Sequence, residues 1–388
     1  MDRFYGCSLE QIREKHSLPY GIKAAVKITS TVRFLPVCAG TGWEWSVSMK
    51  IFAKKLTLFV TVLLIAAMIS GALAEAAAAP AAETRGHYTF QPKVCSVYME
   101  EVFGKTMCET WFSLVDAVMA GEDTFACPDS HTYDWVMGQF RDKCFPILSE
   151  LIDYAYDRAH PVKNGKGSFV YAVPRDEAAE RIAAFAEMIE GILNETLEDD
   201  CTQLEKALAL YEYFAENYTY DYETAAYDKG YPEWLSSYRV FTTGTGICQE
   251  FSVAYAYLLM QVGIEATNMS GHRSYDHEGH QWTYVRMNGH NYHIDPTYVI
   301  GDRVLDYFMM DDAQRERADG YRKEDFVITS NYAQDHPHPA YSADDSSFSP
   351  LWGGRFVSLD HASKTLTYHK YDSSWELQTY AFSYEEFD

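Results

Sequence analysis

The stretch HQWTYVRMNGHNYHIDPT, His280 to Thr297, sets three histidines and an aspartate in an alternating run. Imidazoles beside a carboxylate serve metal ligation or acid/base transfer, and geometry separates the two. Alternation on both sides of Asn288-Gly289 predicts two antiparallel strands joined by a tight turn. With that turn, Met287 faces His290, Tyr284 faces His293, Trp282 faces Asp295 and His280 faces Thr297. His280 and Asp295 are then diagonal neighbours on one face, roughly 7 to 8 Å apart and within side-chain reach. His293 shares that face on the order of 13 Å from His280 along the ladder, and His290 points the other way. Zinc needs several ligand atoms about 2.0 to 2.1 Å from one point, which this register does not supply. No metal and no cofactor are expected. His280 held by Asp295 is half of an acid/base machine, because the carboxylate fixes the imidazole tautomer and stabilises its charged form.

A nucleophile for that half lies upstream in TTGTGICQEFSVAYAYLLMQVG, Thr242 to Gly263. Gly244 and Gly246 make a flexible approach. Cys248, Phe251, Tyr255, Leu258, Leu259 and Val262 then recur at helical spacing until Gly263 supplies a stop. Cys248 is therefore expected in the first turn of a buried helix. Unpaired amides and the positive end of the helix dipole favour a thiolate there, and a nearby imidazole favours it further. The same amides suit the oxyanion of a tetrahedral intermediate. Taken singly, a cysteine on an apolar helix is a small core residue and a strand histidine a satisfied polar group. The combination carries the chemistry.

These motifs resemble the transglutaminase-like superfamily of thiol enzymes with a papain-like core. The resemblance rests on Gly246-Ile247-Cys248-Gln249 opening the helix, His280-Gln281-Trp282 starting a strand, and Tyr292-His293-Ile294-Asp295-Pro296-Thr297 ending the next. It extends to Asn217-Tyr218-Thr219-Tyr220-Asp221 before the cysteine loop and to Tyr307-Phe308-Met309-Met310 after the aspartate, covering roughly Leu204 to Asp312. It implies Cys248 as nucleophile, His280 as general base and acid, and Asp295 as its orienting partner. Gln281 departs from the small residues common at its position in the family.

The chain has 388 residues, 47% of them hydrophobic, and a formal charge of -24. The basic residues are enriched at the start, so the remainder is more acidic still and nucleic acid is excluded as a partner. A protein or peptide substrate, wall-associated kinds included, fits better; oligomeric state is not legible. Met49 to Ala74 has a basic start at Lys50, Lys54 and Lys55, an apolar run from Leu56, and Ala72-Leu73-Ala74 as a cleavage site. It reads as a secretory signal peptide, with a membrane anchor as the rival. Residues 1–48 then read as a mis-called upstream extension and 75–86 as a disordered alanine-rich linker.

The expected fold is α+β. A helical N-terminal region at 87–200 precedes a papain-like core at 201–330, with the Cys248 helix on an antiparallel sheet, and a β-rich tail at 331–388. Helices are expected at Thr106 to Met119, Tyr133 to Lys143, Ile147 to Tyr156 and Glu177 to Leu197, with a strand at Ser168 to Val173. Thr202-Gln203-Leu204-Glu205 reads as a capping box opening a helix to Asn217. Gln314 to Glu324 reads as a solvated helix and loop. A hairpin is expected from Arg355–Leu359 to Thr365–Tyr371, with a further strand at Glu376 to Tyr384. Cys95, Cys108, Cys127, Cys144 and Cys201 allow at most two disulfides once Cys248 is reserved. His336 and His338 in DHPHP fit a polar loop.

The function expected is that of an exported cysteine enzyme acting on peptide or carboxamide bonds through a thioester, hydrolysis favoured over amine crosslinking. The alternative is a non-catalytic extracellular module binding protein or glycan.

Overall fold

The structure, a computed structural model, describes residues 87–226, 235–328 and 342–387. The signal-like stretch, the residues before it, the alanine-rich linker, His336 and His338 lie outside those ranges.

Ser96 caps the first helix by accepting from the Met99 amide, opening α1 (Val97–Phe103), and α2 (Lys105–Met119) follows across Gly104. After β1 (Thr124–Ala126), α3 (Ser130–Trp135) passes through a π-helical turn at Val136–Phe140 into α4 (Arg141–Cys144). Then come α5 (Leu148–Leu151), β2 (Ile152–Tyr154), β3 (Val162–Lys163), β4 (Lys166–Tyr171) and α6 (Arg175–Thr196). The segment expected as one helix from Ile147 to Tyr156 is instead a single turn followed by a strand. Ile152, Asp153 and Tyr154 pair with Tyr171, Val170 and Phe169. Periodicity over so few residues cannot separate a short apolar strand from a helix, and the partner strand decides. The helical region thus contains a small antiparallel sheet, β1-β4-β2, with β3 also on β4.

The core begins at α7 (Gln203–Asn217). Thr202 accepts from the Glu205 amide at 3.3 Å and Glu205 accepts from the Thr202 amide at 2.7 Å, the reciprocal cap read from the sequence. β5 (Thr219–Tyr220), α8 (Ser237–Thr243), β6 (Thr245–Gly246) and α9 (Cys248–Gln261) follow. Nearly every side chain of α9 is buried, and a helix apolar all round is stable only when surrounded. β7 (Glu265–His272) and β8 (Gly279–Met287) cover one side of it, while α4, α7 and α8 cover others. β9 (His290–Ile294) completes the hairpin. After α10 (Asp312–Asp319), β10 (Val327–Ile328) joins the far edge, giving an antiparallel sheet in the order β10-β7-β8-β9.

The tail forms a three-stranded antiparallel sheet of β11 (Gly354–Asp360), β12 (Thr365–Tyr371) and β13 (Leu377–Ser383), as its alternation predicted. It is tied back to the core. Leu305 donates its amide to the Gly354 carbonyl at 2.9 Å, and the Tyr384 hydroxyl donates to Glu205 at 2.5 Å. Cys95 and Cys108 form a disulfide, whereas Cys127, Cys144, Cys201 and Cys248 are free. The described residues fall in one compact unit, and none of their helices is long and apolar enough to cross a membrane.

Candidate active site

The hairpin has the register its alternation predicts. Tyr284 pairs with His293 and Met287 with His290, around a turn in which Asn288 and Gly289 take φ of 50° and 81°. Regular pairing stops at Thr283–Ile294, one pair before the expected Trp282–Asp295 match. Asp295 instead donates its amide to the Tyr307 carbonyl at 2.9 Å, yet its side chain keeps the parity of the strand. His280 Nε2 and Asp295 Oδ2 lie 2.7 Å apart with both side chains fully buried. The same diagonal offset recurs two residues along, where Trp282 Nε1 donates to His293 Nδ1 at 2.8 Å. His293 Nε2 meets Asp312 Oδ1 at 2.9 Å, and His290 is exposed. The three histidines therefore diverge.

Cys248 is the first residue of α9, and a parallel pairing fixes its approach. Tyr220 lies beside Gly246, and Asp221 donates its amide to the Gly246 carbonyl at 2.8 Å. A Cβ at position 246 would come within 2.9 Å of Val240 Cγ2, so glycine lets the loop pack this tightly. Glu250 accepts from the Ile247 amide at 3.0 Å and pairs with Arg239 at 2.5 Å, and Arg239 also reaches Asp221 at 2.7 Å. This carboxylate, guanidinium and carboxylate chain joins α8, the Tyr220 segment and the first turn of α9. Burial raises the Glu250 pKa despite the ion pair, while Asp221 lies below its ordinary value despite burial, through its Thr224 and Arg239 bonds. Cys248 itself is about 1% exposed. As the first helical residue its amide has no intrahelical acceptor.

Burial alone would lower the pKa of His280. The negative charge of Asp295 and its hydrogen bond oppose it, with Tyr321 contributing, and the imidazole lies well above its ordinary value. Burial would raise Asp295, but His280 and Arg315 hold it below the usual carboxylate range. His280 Nδ1 is buried with no hydrogen-bond partner. Nε2 being taken by Asp295, Nδ1 is the nitrogen left to exchange a proton with a thiol. His293 goes the other way: burial lowers its pKa and Asp312 restores only part.

The main correction concerns α10. Read as solvated, this segment buries Arg315 completely. Arg315 Nη1 donates to Asp295 Oδ2 at 2.9 Å, and its guanidinium carbon lies 4.3 Å from the Trp282 ring centre and 4.6 Å from that of Tyr321. Its i, i+4 spacing from Asp319 was the sole local signal, and that spacing equally fits an exposed face. Gln281, the departure from the family pattern, turns away from His280 and accepts from Asn268 at 2.9 Å; Asn268 in turn accepts from Lys143 at 2.8 Å.

The sequence model of the transglutaminase-like superfamily matches residues 190–296, a span containing Cys248, His280 and Asp295. The chain carries a transglutaminase-like core. Tyr307 to Met310, included in the resemblance read from the sequence, lies beyond the matched span. No curated protein matches the chain. Among solved structures, a Cytophaga hutchinsonii protein assigned as a cysteine protease is 18% identical, with a TM-score of 0.22 over 27% of this chain and 34% of that one. A TGase is 20% identical, with a TM-score of 0.27 over 32% of this chain and 34% of that one. EGTA-treated LapG from Legionella pneumophila is 17% identical, with a TM-score of 0.22 over 30% of this chain and 62% of that one. The matched part of this chain spans about a third of the length of the first two proteins.

Proposed function

We propose that the transglutaminase-like core is a thiol acyl-transfer site in an exported protein, with Cys248 as nucleophile, His280 as base and acid, and Asp295 as orienting carboxylate. The observation that carries this reading is the buried His280–Asp295 bond at 2.7 Å, with the opposite imidazole nitrogen unpartnered and Cys248 at the first position of α9. In the mechanism, His280 takes the thiol proton and the thiolate attacks a peptide or carboxamide carbonyl. The oxyanion forms against free amides of the first turn of α9. The imidazolium gives its proton to the departing nitrogen, leaving a thioester and a free amine. Water then adds to the thioester as His280 removes its proton, and the carboxylic acid leaves as the thiolate returns. An amine in place of water gives a crosslink; hydrolysis is our first choice.

Export is supported by the Met49 to Ala74 pattern and by the Cys95–Cys108 disulfide, a bond that persists in oxidising compartments. The test uses p-nitrophenyl acetate as acyl donor. Mass spectrometry is expected to find an acetyl group on Cys248 that decays in water, with free acid exceeding amide when an alkylamine is added. Acetylation confined to lysines, or absent, overturns the reading and leaves a non-catalytic module.

A further inference from the structure

Arg315 faces several charged and titratable groups. Asp295 lies at the end of β9, Asp319 on its own helix at 3.7 Å, and the adjoining Trp282 and Tyr321 rings lie 4.3 and 4.6 Å from its guanidinium carbon. Tyr298, Tyr307 and His293 also lie within its electrostatic reach, and His280 shares the same Asp295 oxygen. Its Nε and Nη2 groups have no hydrogen-bond partners, so the side chain is held through Nη1 by Asp295 and, at longer range, Asp319, and by the two aromatic rings.

We propose that Arg315 is a positioning residue: it keeps Asp295 ionised and aimed at His280, and supplies the positive charge that balances the thiolate form of the site. This rests on the thiol reading above and deepens it. The reasoning is a charge count in a buried volume. The reactive form holds a thiolate, an imidazolium and the Asp295 carboxylate, with Asp319 close behind. Arg315 is the second cation. Without it, one imidazolium faces three anions where water cannot screen them, and the cheapest remedy is to return a proton to sulfur. The two rings are suited to this role because guanidinium stacks on aromatic faces while keeping its charge.

The experiment follows alkylation of Cys248 by iodoacetamide as a function of pH, read on the Cys248 peptide so that Cys201 does not interfere. The position of the acid limb is compared, rather than the rate, because the thiol is buried. Arg315→Met keeps an unbranched stem against the rings and removes the charge. Its limb is expected to rise by about one pH unit, so alkylation at a fixed pH on the limb falls about tenfold. Arg315→Lys should recover more than half of that shift. Asp319→Asn removes a neighbouring anion and should move the limb down. A folded Arg315→Met protein with an unmoved limb, or an equal shift in Arg315→Lys, overturns the proposal. Should Arg315→Met not fold, an unmoved or raised limb in Asp319→Asn does the same. A wild-type limb near the ordinary thiol value of about 8.5 overturns the thiol reading itself.

Discussion

Replacing Cys248 by alanine removes one sulfur from the first turn of a surrounded helix, so chemistry and packing respond differently. We expect Cys248→Ala to abolish trapping by thiol-directed acyl probes while the melting temperature changes little; undiminished turnover would show that the nucleophile lies elsewhere. Asp295→Asn keeps the shape but removes the charge that His280 and Arg315 share. Activity should drop on the order of 10⁴-fold, as when a triad carboxylate is neutralised. His290→Ala, at an exposed position, should leave turnover intact. His293 has no place in the proposed chemistry, and His293→Ala should cost much less activity than Asp295→Asn. Its burial between Trp282 and Asp312 adds a stability cost of about 2 to 4 kcal/mol for His293→Ala, measurable by denaturant titration. Loss of activity in His290→Ala equal to that in Asp295→Asn would contradict this division of labour.

At the scale of the element, the hairpin works through parity. Asn288 and Gly289 hold the turn, and β8 and β9 then place even-numbered residues of one strand with odd-numbered residues of the other on a common face. One residue inserted between Asn288 and Gly289 should carry Asp295 to the opposite face from His280, whereas two should keep the parity in a longer loop. Comparable activity in two folded insertion variants would defeat this account of how the aspartate reaches the histidine. The helix works through closure instead. Arg239, bound to Asp221 and Glu250, secures the approach loop to α9, and this long-range pairing sets where Cys248 stands.

For the whole molecule, the buried His280 and His293 give opposite pH dependences. His293 has a lowered pKa, so below its ordinary value of about 6.5 the unfolded chain takes up a proton that the folded chain refuses, and stability falls on acidification. His280 has a raised pKa. Its contribution is complete below about 6.5 and is lost as pH climbs through the folded value. Asp295, with a depressed pKa, adds a loss of stability below the ordinary carboxylate range. Urea titrations across pH should show His293→Gln flattening the acid side and His280→Gln the alkaline side; unchanged slopes would refute the assignments. Export is tested on the same scale. Expressed from Met49 in a bacterial host, the protein should leave the cytoplasm with Glu75 near its new N-terminus. Product retained in the cytoplasm, or still beginning at Met49, would overturn the export reading.

Local rules were enough for whatever depends on neighbours in the chain. Asn-Gly chemistry and period-two alternation put His280 and Asp295 on one face, the Thr202–Glu205 cap was readable from spacing alone, and apolar periodicity placed Cys248 at a helix start. Other features depended on partners far along the chain. Ile152 to Tyr154 became a strand because β4 lay beside it. The polar run of α10 looked solvated because hydropathy registers a charge but not the counter-charge that lets it be buried. Asp295 and two aromatic rings compensate Arg315, and that meeting exists only once α10 has folded onto β8 and β9. Sequence determined which groups could react; tertiary structure decided which charges surround them, because electrostatic energy depends on distance through space and not along the chain.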